Sequence, residues 1–435
     1  MKTIHQAEQE IPVIAQTQVL VVGSGPAGIA AAVASARCGA RTILAERYGC
    51  FGGALSIGQV ESYTWYFNEK TYTAKGISKE INDRMVDMNA VQRDDRGIGY
   101  FIDPEVYKVM LDNWIQQEGI TPLLHALAVD VVMDGERVCG IIFESKSGRG
   151  AVLADCVVDA TGDGDIAYKA GVPYHQGGCD ERDVLPVTVV FGVSGVDVPR
   201  FRDYISHHKE MTNPETHGLK LIFLRAQQAG KWPYSREGGA WKTLTPSGDF
   251  TSMNITREFR IDGTNVWDLT GAEIRGRKQA LEAVEAMRLF GQDMGFANCC
   301  LRSFAYQVGI RETRRIVGEY SICREEILNQ QRFDDTVGVF TRFIDGEVIA
   351  RDDSRFQIPY RVLLPRNVNG LLVAGRCVSC EQNAIQTMRM MVCCATTGQA
   401  AGTACALSAL NHLTPRELPI AVLQDTLRQF GMLLE

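Results

Sequence analysis

The first candidate for chemistry is a glycine-rich turn near the start of the chain. Residues 23–28, Gly-Ser-Gly-Pro-Ala-Gly, match the pattern G-x-G-x-x-G and follow a short apolar run. In this pattern the first glycine permits a tight turn, the second lets the backbone approach a diphosphate, and the third lets a helix pack closely on a strand. The N–H groups and the positive dipole end of the following helix attract phosphate. The turn therefore predicts a nucleotide site.

A carboxylate strengthens this prediction. Glu46 lies 18 residues after Gly28, at the end of the next apolar run. At that position a carboxylate can accept hydrogen bonds from both hydroxyls of an adenosine ribose. A glycine-rich turn alone can be purely structural, but its combination with Glu46 favours a dinucleotide.

Two further turns indicate which dinucleotide is bound. Residues 157–165 (VVDATGDGD) and 372–376 (LVAGR) are again apolar runs that end in glycine, far downstream of the first turn. Either could be an ordinary turn between a strand and a helix. Three such segments around an intervening region suit a long ligand such as FAD. No second G-x-G-x-x-G has a good context, so a permanent NAD(P) domain is not indicated.

Local patterns predict the elements that position these turns. Residues 19–22 form a buried strand, 26–37 an alanine-rich helix and 41–45 a second strand, so the chain begins with a βαβ unit. A helix is predicted from Asp103 to Gln117, with a proline in its first turn. Three more segments are typical of an antiparallel meander: 123–133, 138–144 and 151–159.

The predicted fold class is α/β. We expect a Rossmann-like FAD-binding domain assembled from discontinuous segments, with its first part at 16–175 and its C-terminal return at 346–435. Residues 176–345 differ in character, since they hold three of the five tryptophans and an amphipathic helix from about 270 to 289. We interpret them as an inserted α+β substrate domain.

Composition restricts the partners. Lys and Arg total 45 and Asp and Glu total 52, so the formal net charge is −7. No excess positive charge attracts nucleic acid or anionic lipid, and we expect no nucleic-acid and no membrane partner. The N-terminal residues lack the apolar stretch of a signal peptide, so the sequence predicts a cytoplasmic protein. The 13 cysteines have no disulfide-scaffold spacing and are expected to be mostly reduced.

Five segments carry a resemblance to a known family: 19–46, 52–53, 159–171 (DATGDGDIAYKAG), 309–320 (GIRETRRIVGEY) and 372–407. Together they resemble the FAD-dependent oxidoreductases, which are related to glutathione-reductase and fumarate-reductase flavoproteins. The resemblance implies bound FAD, with its adenosine on Glu46 and its pyrophosphate at residues 23–28 and near Arg376. The flavin ring would lie beside residues 52–53 and a helix that starts near Gly398. No particular substrate is implied.

The predicted FAD contacts come from all three turns, the resemblance and neighbouring positions. They are Gly23, Gly25, Pro26, Ala27, Gly28, Glu46, Arg47, Gly52, Gly53, Ala54, Ala128, Ala160, Thr161, Gly162, Asp165, Gly375, Arg376, Gly398, Gln399 and Ala400. N–H groups near 397–400 would point at the pyrimidine edge of the flavin, where negative charge accumulates on reduction. The small residues there could equally serve close helix packing, and both roles can hold.

The candidates for catalysis are Arg257, Glu381 and Arg389. Arginine binds carboxylates in a planar fork, although a structural ion pair explains an arginine equally well. Cys377 and Cys380 form a C-x-x-C pair that could exchange electrons with FAD or could be structural. No metal site is expected, because the cysteine pairs lack metal-ligand spacing.

We therefore expect an enzyme, an FAD-dependent oxidoreductase that transfers hydride between a small organic substrate and flavin N5. One alternative is a flavoprotein isomerase or hydratase without net redox chemistry. The other is an electron-transfer subunit of a larger complex. The sequence leaves open whether the protein forms a homo-oligomer or has a redox partner protein.

Overall fold

The structure is a computed structural model, which describes residues 2–5, 8–64, 74–94, 99–177, 184–207, 218–235, 239–344, 348–349 and 354–435. The strands, in chain order, are β1 Val13–Val22, β2 Thr42–Ala45, β3 Ser62–Thr64, β4 Val91–Arg93, β5 Gly99–Ile102, β6 Thr121–Leu123, β7 Leu127–Asp134, β8 Arg137–Ser145, β9 Gly148–Asp159, β10 Tyr174–Gln176, β11 Phe191–Ser194, β12 Ala240–Trp241, β13 Phe250–Asn254, β14 Cys300–Phe304, β15 Arg314–Ile316, β16 Thr336–Thr341, β17 Phe343–Ile344, β18 Val348–Ile349, β19 Arg355–Pro359 and β20 Leu371–Val373. The α-helices are α1 Pro26–Arg37, α2 Ile77–Asp87, α3 Pro104–Gln117, α4 Asp165–Lys169, α5 Val198–His207, α6 Lys220–Gln228, α7 Val266–Phe290, α8 Arg324–Leu328, α9 Ile385–Met388, α10 Met391–Leu410 and α11 Ile420–Gln429.

A seven-stranded sheet forms the centre of the fold. Strands β6, β2, β1 and β9 are parallel neighbours in that order. The far edge of β9 is shared, because its residues 148–153 pair with β8 and its residues 157–159 pair with β20. The C-terminal return therefore enters the same sheet as the N-terminal βαβ unit. The α/β fold class is confirmed.

The apolar run at residues 19–22 becomes the fully buried half of β1 because the sheet is covered on both faces there. The predicted meander is present as β7, β8 and β9. Its first segment was predicted as one strand over 123–133. The structure instead has two strands, since β6 adds in parallel to β2 before the chain turns into β7.

Helix α10 packs against α1 with almost no space between their backbones. A Cβ atom on Gly398 would lie 2.0 Å from the carbonyl oxygen of Ala27, and one on Gly402 would lie 2.0 Å from that of Ala31. The small residues of α10 therefore serve close packing, which is one of the two roles expected from the sequence.

The predicted start of this helix is wrong. Helix α10 begins at Met391, so Gly398, Gln399 and Ala400 lie inside it and not at its N-terminus. Their N–H groups donate the hydrogen bonds of the helix, so they cannot bind the flavin edge. The unpaired N–H groups of this helix belong to its first turn at 391–393.

The region between β10 and β15 contains a second hydrophobic core. Strands β12, β13, β11 and β14 form an antiparallel sheet, and α7 packs on it through residues such as Ala280, Ala283 and Met287. The predicted amphipathic helix at 270–289 is the main part of α7, which starts four residues earlier. The domain boundaries at 175 and 345 stay predictions. Within the described part of the chain, no helix is both long and apolar enough to cross a membrane.

Candidate functional site

The first glycine turn connects β1 to α1, and its three glycines meet different surroundings. A Cβ on Gly23 would lie 2.5 Å from the carbonyl oxygen of Ala160, and one on Gly28 would lie 1.8 Å from that of Gly23. Gly25 differs, since a Cβ there would meet no atom within 4 Å. Its φ of −63° is also ordinary for any residue. Gly25 therefore borders open space at the start of a helix, where first-turn N–H groups have no helical partner.

Glu46 is fixed beside this turn. Its Oε2 accepts hydrogen bonds from the backbone N–H of Ser24 at 2.8 Å and from the Ser24 hydroxyl at 2.7 Å, and its Oε1 accepts from the N–H of Tyr48 at 3.1 Å. The side chain is buried. Backbone hydrogen bonds also connect Glu46 to Leu123 and Ala126, which brings Ala128 and the start of β7 to the same side of the sheet.

A loop at residues 52–54 forms a wall next to Gly25. The N–H of Gly52 donates to the carbonyl oxygen of Ser24 at 2.9 Å, and a Cβ on Gly53 would lie 2.7 Å from the Cα of Gly25. Both glycines have positive φ values, and Ala54 is exposed. Arg47 lies farther along the edge, where its guanidinium stacks over the Tyr48 ring and donates to Gln307.

The second glycine turn is organised by a buried carboxyl group. One oxygen of Asp159 accepts from the backbone N–H and the hydroxyl of Thr161, and the other accepts from the N–H groups of Ile166 and Ala167 at the start of α4. Burial raises the pKa of Asp159 to about 6. The predicted residues at 160–162 are thereby held against the first turn, in contact with Gly23.

Arg376 reaches the second turn from the C-terminal segment. Its guanidinium donates to the carboxylate of Asp163 at 2.7 Å and to the Thr313 hydroxyl at 3.2 Å. A Cβ on Gly162 would lie 3.0 Å from the same guanidinium. Asp165 is paired with Arg314 at 2.8 Å. The structure therefore brings the predicted residues of the second and third turns together, with the charge of Arg376 balanced by Asp163.

The predicted residues of α10 have packing roles. Gln399 is fully buried, and its side-chain oxygen accepts from the N–H of Ile77 at 2.8 Å, which ties α10 to the start of α2. Ala400 is also buried in the core. Gly375, in the third turn, donates its N–H to the hydroxyl of Thr397 at 3.0 Å. The part of α10 around 397–400 thus supports the third turn from behind.

The three candidates for catalysis lie in different settings. Arg257 is half-buried, and one of its terminal nitrogens donates to the Thr188 hydroxyl, the Asn254 side chain and the Thr256 carbonyl oxygen at 2.6–2.8 Å. Arg389 is half-buried after α9, where its charge lowers the pKa of Cys394 although burial raises that pKa overall.

Glu381 is exposed and lines a cavity of about 390 Å³ together with His175, Arg315 and Cys380. Its carboxylate also lies within 4.8 Å of ligand atoms of Cys323 and Glu325. This cluster is only partly buried, and nothing further in the described residues points to an ion there.

Cys377 and Cys380 are both buried as free thiols. Burial raises the pKa of Cys380 to about 12 and that of Cys377 well above its usual value. Thiol–disulfide exchange requires a thiolate, which these surroundings disfavour. The geometry therefore favours the structural interpretation of this pair.

Sequence reasoning missed Glu61. The residue is 1% exposed, and neither carboxylate oxygen has a hydrogen bond of normal geometry within the described residues. Burial raises its pKa to about 7, while nearby Thr243, Thr251 and Lys242 lower it. No sequence signal could have identified it, since a glutamate at the edge of a strand is ordinary and only tertiary burial makes it unusual.

The observed surroundings fit FAD. The open space at Gly25, the helix N-terminus behind it and the buried carboxylate of Glu46 match a diphosphate and an adenosine ribose. After the loop at 52–54, four buried polar atoms find no hydrogen-bond partner among the residues that the structure describes, namely Gln59 Oε1, both Glu61 oxygens and Ser62 Oγ. Such atoms are costly unless a ligand or water satisfies them.

Comparison with known proteins agrees with this geometry. The profile of a family described as "FAD dependent oxidoreductase" matches residues 18–427, so the chain belongs to this family. FAD is its cofactor.

Curated relatives match only part of the chain. A thiamine thiazole synthase from Saccharolobus islandicus is 28% identical over 158 residues, which is 34% of this chain and 55% of that protein. A digeranylgeranylglycerophospholipid reductase from Picrophilus torridus is 27% identical over 153 residues, 33% of this chain and 38% of that protein. The aligned part therefore spans about half or less of these relatives.

Two solved structures align with nearly all of the chain. A geranylgeranyl bacteriochlorophyll reductase-like protein from Thermoplasma acidophilum has 13% identity and a TM-score of 0.45, over 96% of this chain and 82% of that one. A flavin-dependent brominase has 14% identity and a TM-score of 0.48, over 94% of this chain and 83% of that one.

Replacing Gly25 by valine tests whether the open space beside this glycine binds the diphosphate. The new side chain has room and an ordinary φ, so the protein should fold, but it fills the space assigned to the diphosphate. We expect FAD affinity to fall by about tenfold or more, or at least 1.4 kcal/mol. Flavin released on denaturation, per mole of protein, measures this. The contrasting variant is Gly28→Val, which should lose FAD together with the fold because a Cβ there would lie 1.8 Å from the carbonyl oxygen of Gly23, whereas Gly25→Val should keep the wild-type unfolding temperature. Full FAD content in Gly25→Val would place the diphosphate elsewhere.

The buried carboxyl of Glu61 predicts a pH dependence of stability. Its pKa is about 7 when folded and near 4.5 when unfolded, so unfolding releases a proton between these values. Stability is therefore lost as pH rises from about 4.5 to 7, by roughly 3 kcal/mol in total. Glu61→Gln removes this loss. The unfolding temperature of Glu61→Gln relative to that of the wild type should be higher at pH 8 than at pH 5. A constant difference would mean that Glu61 ionises normally.

Proposed function

We propose that this enzyme transfers a hydride between a small organic substrate and the N5 atom of FAD, and that Glu61 exchanges the accompanying proton. The observation that carries the proposal is the buried carboxyl group of Glu61, whose oxygens make no hydrogen bond of normal geometry within the described residues. It follows the loop at 52–54 by seven residues along the chain.

Glu61 lies where the FAD-binding segment meets the antiparallel sheet of β11–β14. The hydroxyl of Ser252 in β13 donates to the carbonyl oxygen of Gln59 at 2.9 Å. The hydroxyls of Thr243 and Thr251 lie near enough to the Glu61 carboxyl to lower its pKa. The Glu61 carboxyl group therefore lies between the FAD-binding part of the chain and the second hydrophobic core. We place the substrate in this region.

Bound FAD supplies the hydride chemistry, which needs little from the protein beyond orientation, charge stabilisation and a proton partner. A general acid or base works best when its pKa is near the working pH. Protonated Glu61 can donate to a substrate that is being reduced, and ionised Glu61 can accept from one that is being oxidised. The two directions use the same atom of the same residue.

Arg257 is proposed to orient an anionic group of the substrate. Its bonds to Thr188 and Asn254 fix the guanidinium on the edge of the same antiparallel sheet. Arg389 and Glu381 are kept as secondary candidates, and the exposed position of Glu381 makes it the weaker one. The reductase name of one curated relative supports reduction of an organic substrate here.

Anaerobic mixing tests the reaction class. The oxidised enzyme is mixed with a panel of hydroxy acids, alcohols and amines, and the dithionite-reduced enzyme with a panel of carbonyl compounds and activated alkenes. Loss or return of oxidised-flavin absorbance with a matching organic product supports hydride transfer. Product without a net absorbance change would indicate an isomerase or hydratase. Reoxidation by ferricyanide alone, with no organic reactant in either panel, would favour an electron-transfer subunit.

Glu61→Gln tests the proton partner once a reactant is found. We expect the half-reaction to slow by about 10²-fold or more, the range for a lost general acid or base. Its pH profile near 7 should flatten, while FAD content stays at the wild-type level. Glu105→Gln, which changes an exposed carboxyl on α3, is the matched control. An unchanged rate and profile in Glu61→Gln would remove the residue from the mechanism.

A further inference from the structure

Two cysteines from distant parts of the chain meet in the core beneath the glycine turns. The Sγ atoms of Cys156 in β9 and Cys405 in α10 lie 2.7 Å apart, although 249 positions separate the two residues in sequence. Cys156 is 1% exposed and Cys405 is fully buried. The Cys405 thiol also lies 3.7 Å from the carbonyl oxygen of Val157, the neighbour of Cys156 in β9. The two thiols are therefore in direct contact where the helix packs on the sheet.

This arrangement suits a covalent bond between the two sulfur atoms. The S–S bond of a disulfide is about 2.05 Å long, so the sulfur atoms need to approach by only about 0.7 Å, a shift small enough for side-chain rotation. The thiol of Cys377 is placed differently, because it faces the carbonyl oxygens of Asp159 and Ala374. Contact between sulfur atoms therefore distinguishes the pair in β9 and α10 from the C-x-x-C pair.

We propose that Cys156 and Cys405 form a disulfide when the protein meets a small-molecule disulfide such as oxidised glutathione, and that this bond fixes α10 on β9. The thiolate of one cysteine attacks the small disulfide, forms a mixed disulfide and releases one small thiol. The second cysteine then attacks the protein sulfur of the mixed disulfide and releases the other small thiol. Two protein thiols are oxidised, one small disulfide is reduced, and the two protons pass to the released thiols.

Burial determines how fast this reaction runs. It raises the pKa of Cys405 well above the usual value, and the neighbouring Cys156 raises that pKa further. Because the thiolate is the attacking species, we expect the pair to react only during folding or when the core opens transiently. The same burial keeps dissolved reductants away from the completed bond. The disulfide is therefore slow to form and slow to break.

The bond joins elements on which the FAD site depends. Gly402, three positions before Cys405, is the glycine of α10 that packs against the backbone of Ala31 in α1. Thr397 of the same helix accepts a hydrogen bond from the N–H of Gly375 in the third turn. The cross-link also closes a loop of 249 positions that contains the second hydrophobic core, which restricts the unfolded chain. We therefore expect the oxidised protein to unfold at a higher temperature and to retain FAD longer on heating.

Peptide mapping of the holoenzyme tests whether the bond forms. The protein is incubated with oxidised glutathione a few degrees below its unfolding temperature, where transient opening exposes the thiols. It is then quenched in acid, unfolded with an alkylating reagent and digested without reductant. We expect a peptide pair that links Cys156 to Cys405, with the mass of the two thiol peptides less two hydrogen atoms. Alkylation of both cysteines, or separate addition of glutathione to each, would overturn the proposal.

Thermal unfolding tests what the bond does. The glutathione-treated wild type should unfold about 5 °C above wild type kept in a phosphine reductant. Cys405→Ala, which places alanine between Ala404 and Ala406, should lose this difference, whereas Cys139→Ala, at a half-buried free cysteine of β8, should keep it. The wild-type comparison stands by itself if Cys405→Ala does not fold. Equal unfolding temperatures in the two wild-type preparations, or a difference that persists in Cys405→Ala, would contradict the assigned effect.

Discussion

The structure depends on the direct contact between the backbones of α1 and α10. The two helices are far apart in sequence, and glycines at 398 and 402 let them approach until no side-chain atom fits between them. This contact brings the C-terminal segment onto the first βαβ unit. Strand β20 then adds to β9, and the third turn meets the first two, where a Cβ on Gly375 would lie 2.9 Å from that of Ala27.

Polar contacts fix the geometry that this packing makes available. Asp159 caps the start of α4 from the end of β9, and Glu46 holds the backbone of Ser24 from the end of β2. Arg376 bridges Asp163 and Thr313, which joins the second turn, the third turn and the segment before β15. Each of these three side chains has an ionisable partner or a backbone donor. These contacts fix the geometry of the three glycine turns before any contact with the cofactor is made.

The sequence was sufficient for the parts that local chemistry determines. The first glycine turn, the alanine-rich helix and the carboxylate at Glu46 follow from propensity and spacing, and the structure has all three. The start of α10 was misplaced because glycine and alanine at 398–402 suggest a terminus, whereas their function is close packing in the helix interior. Glu61 could not be recognised, since its burial comes from the antiparallel sheet of another part of the chain. The ion pair of Arg376 with Asp163 could not be predicted for the same reason, because it joins distant parts of the chain.

The most direct test of the account is the free energy of unfolding of Gly402→Ala, measured with its FAD content. Alanine in place of glycine stabilises an unobstructed helix by about 1 kcal/mol. Here the added methyl group would lie 2.0 Å from the carbonyl oxygen of Ala31. The account predicts a loss of stability of about 1–3 kcal/mol, typical of overpacking, together with weaker FAD retention. A variant that is more stable than the wild type and holds its full complement of FAD would contradict it.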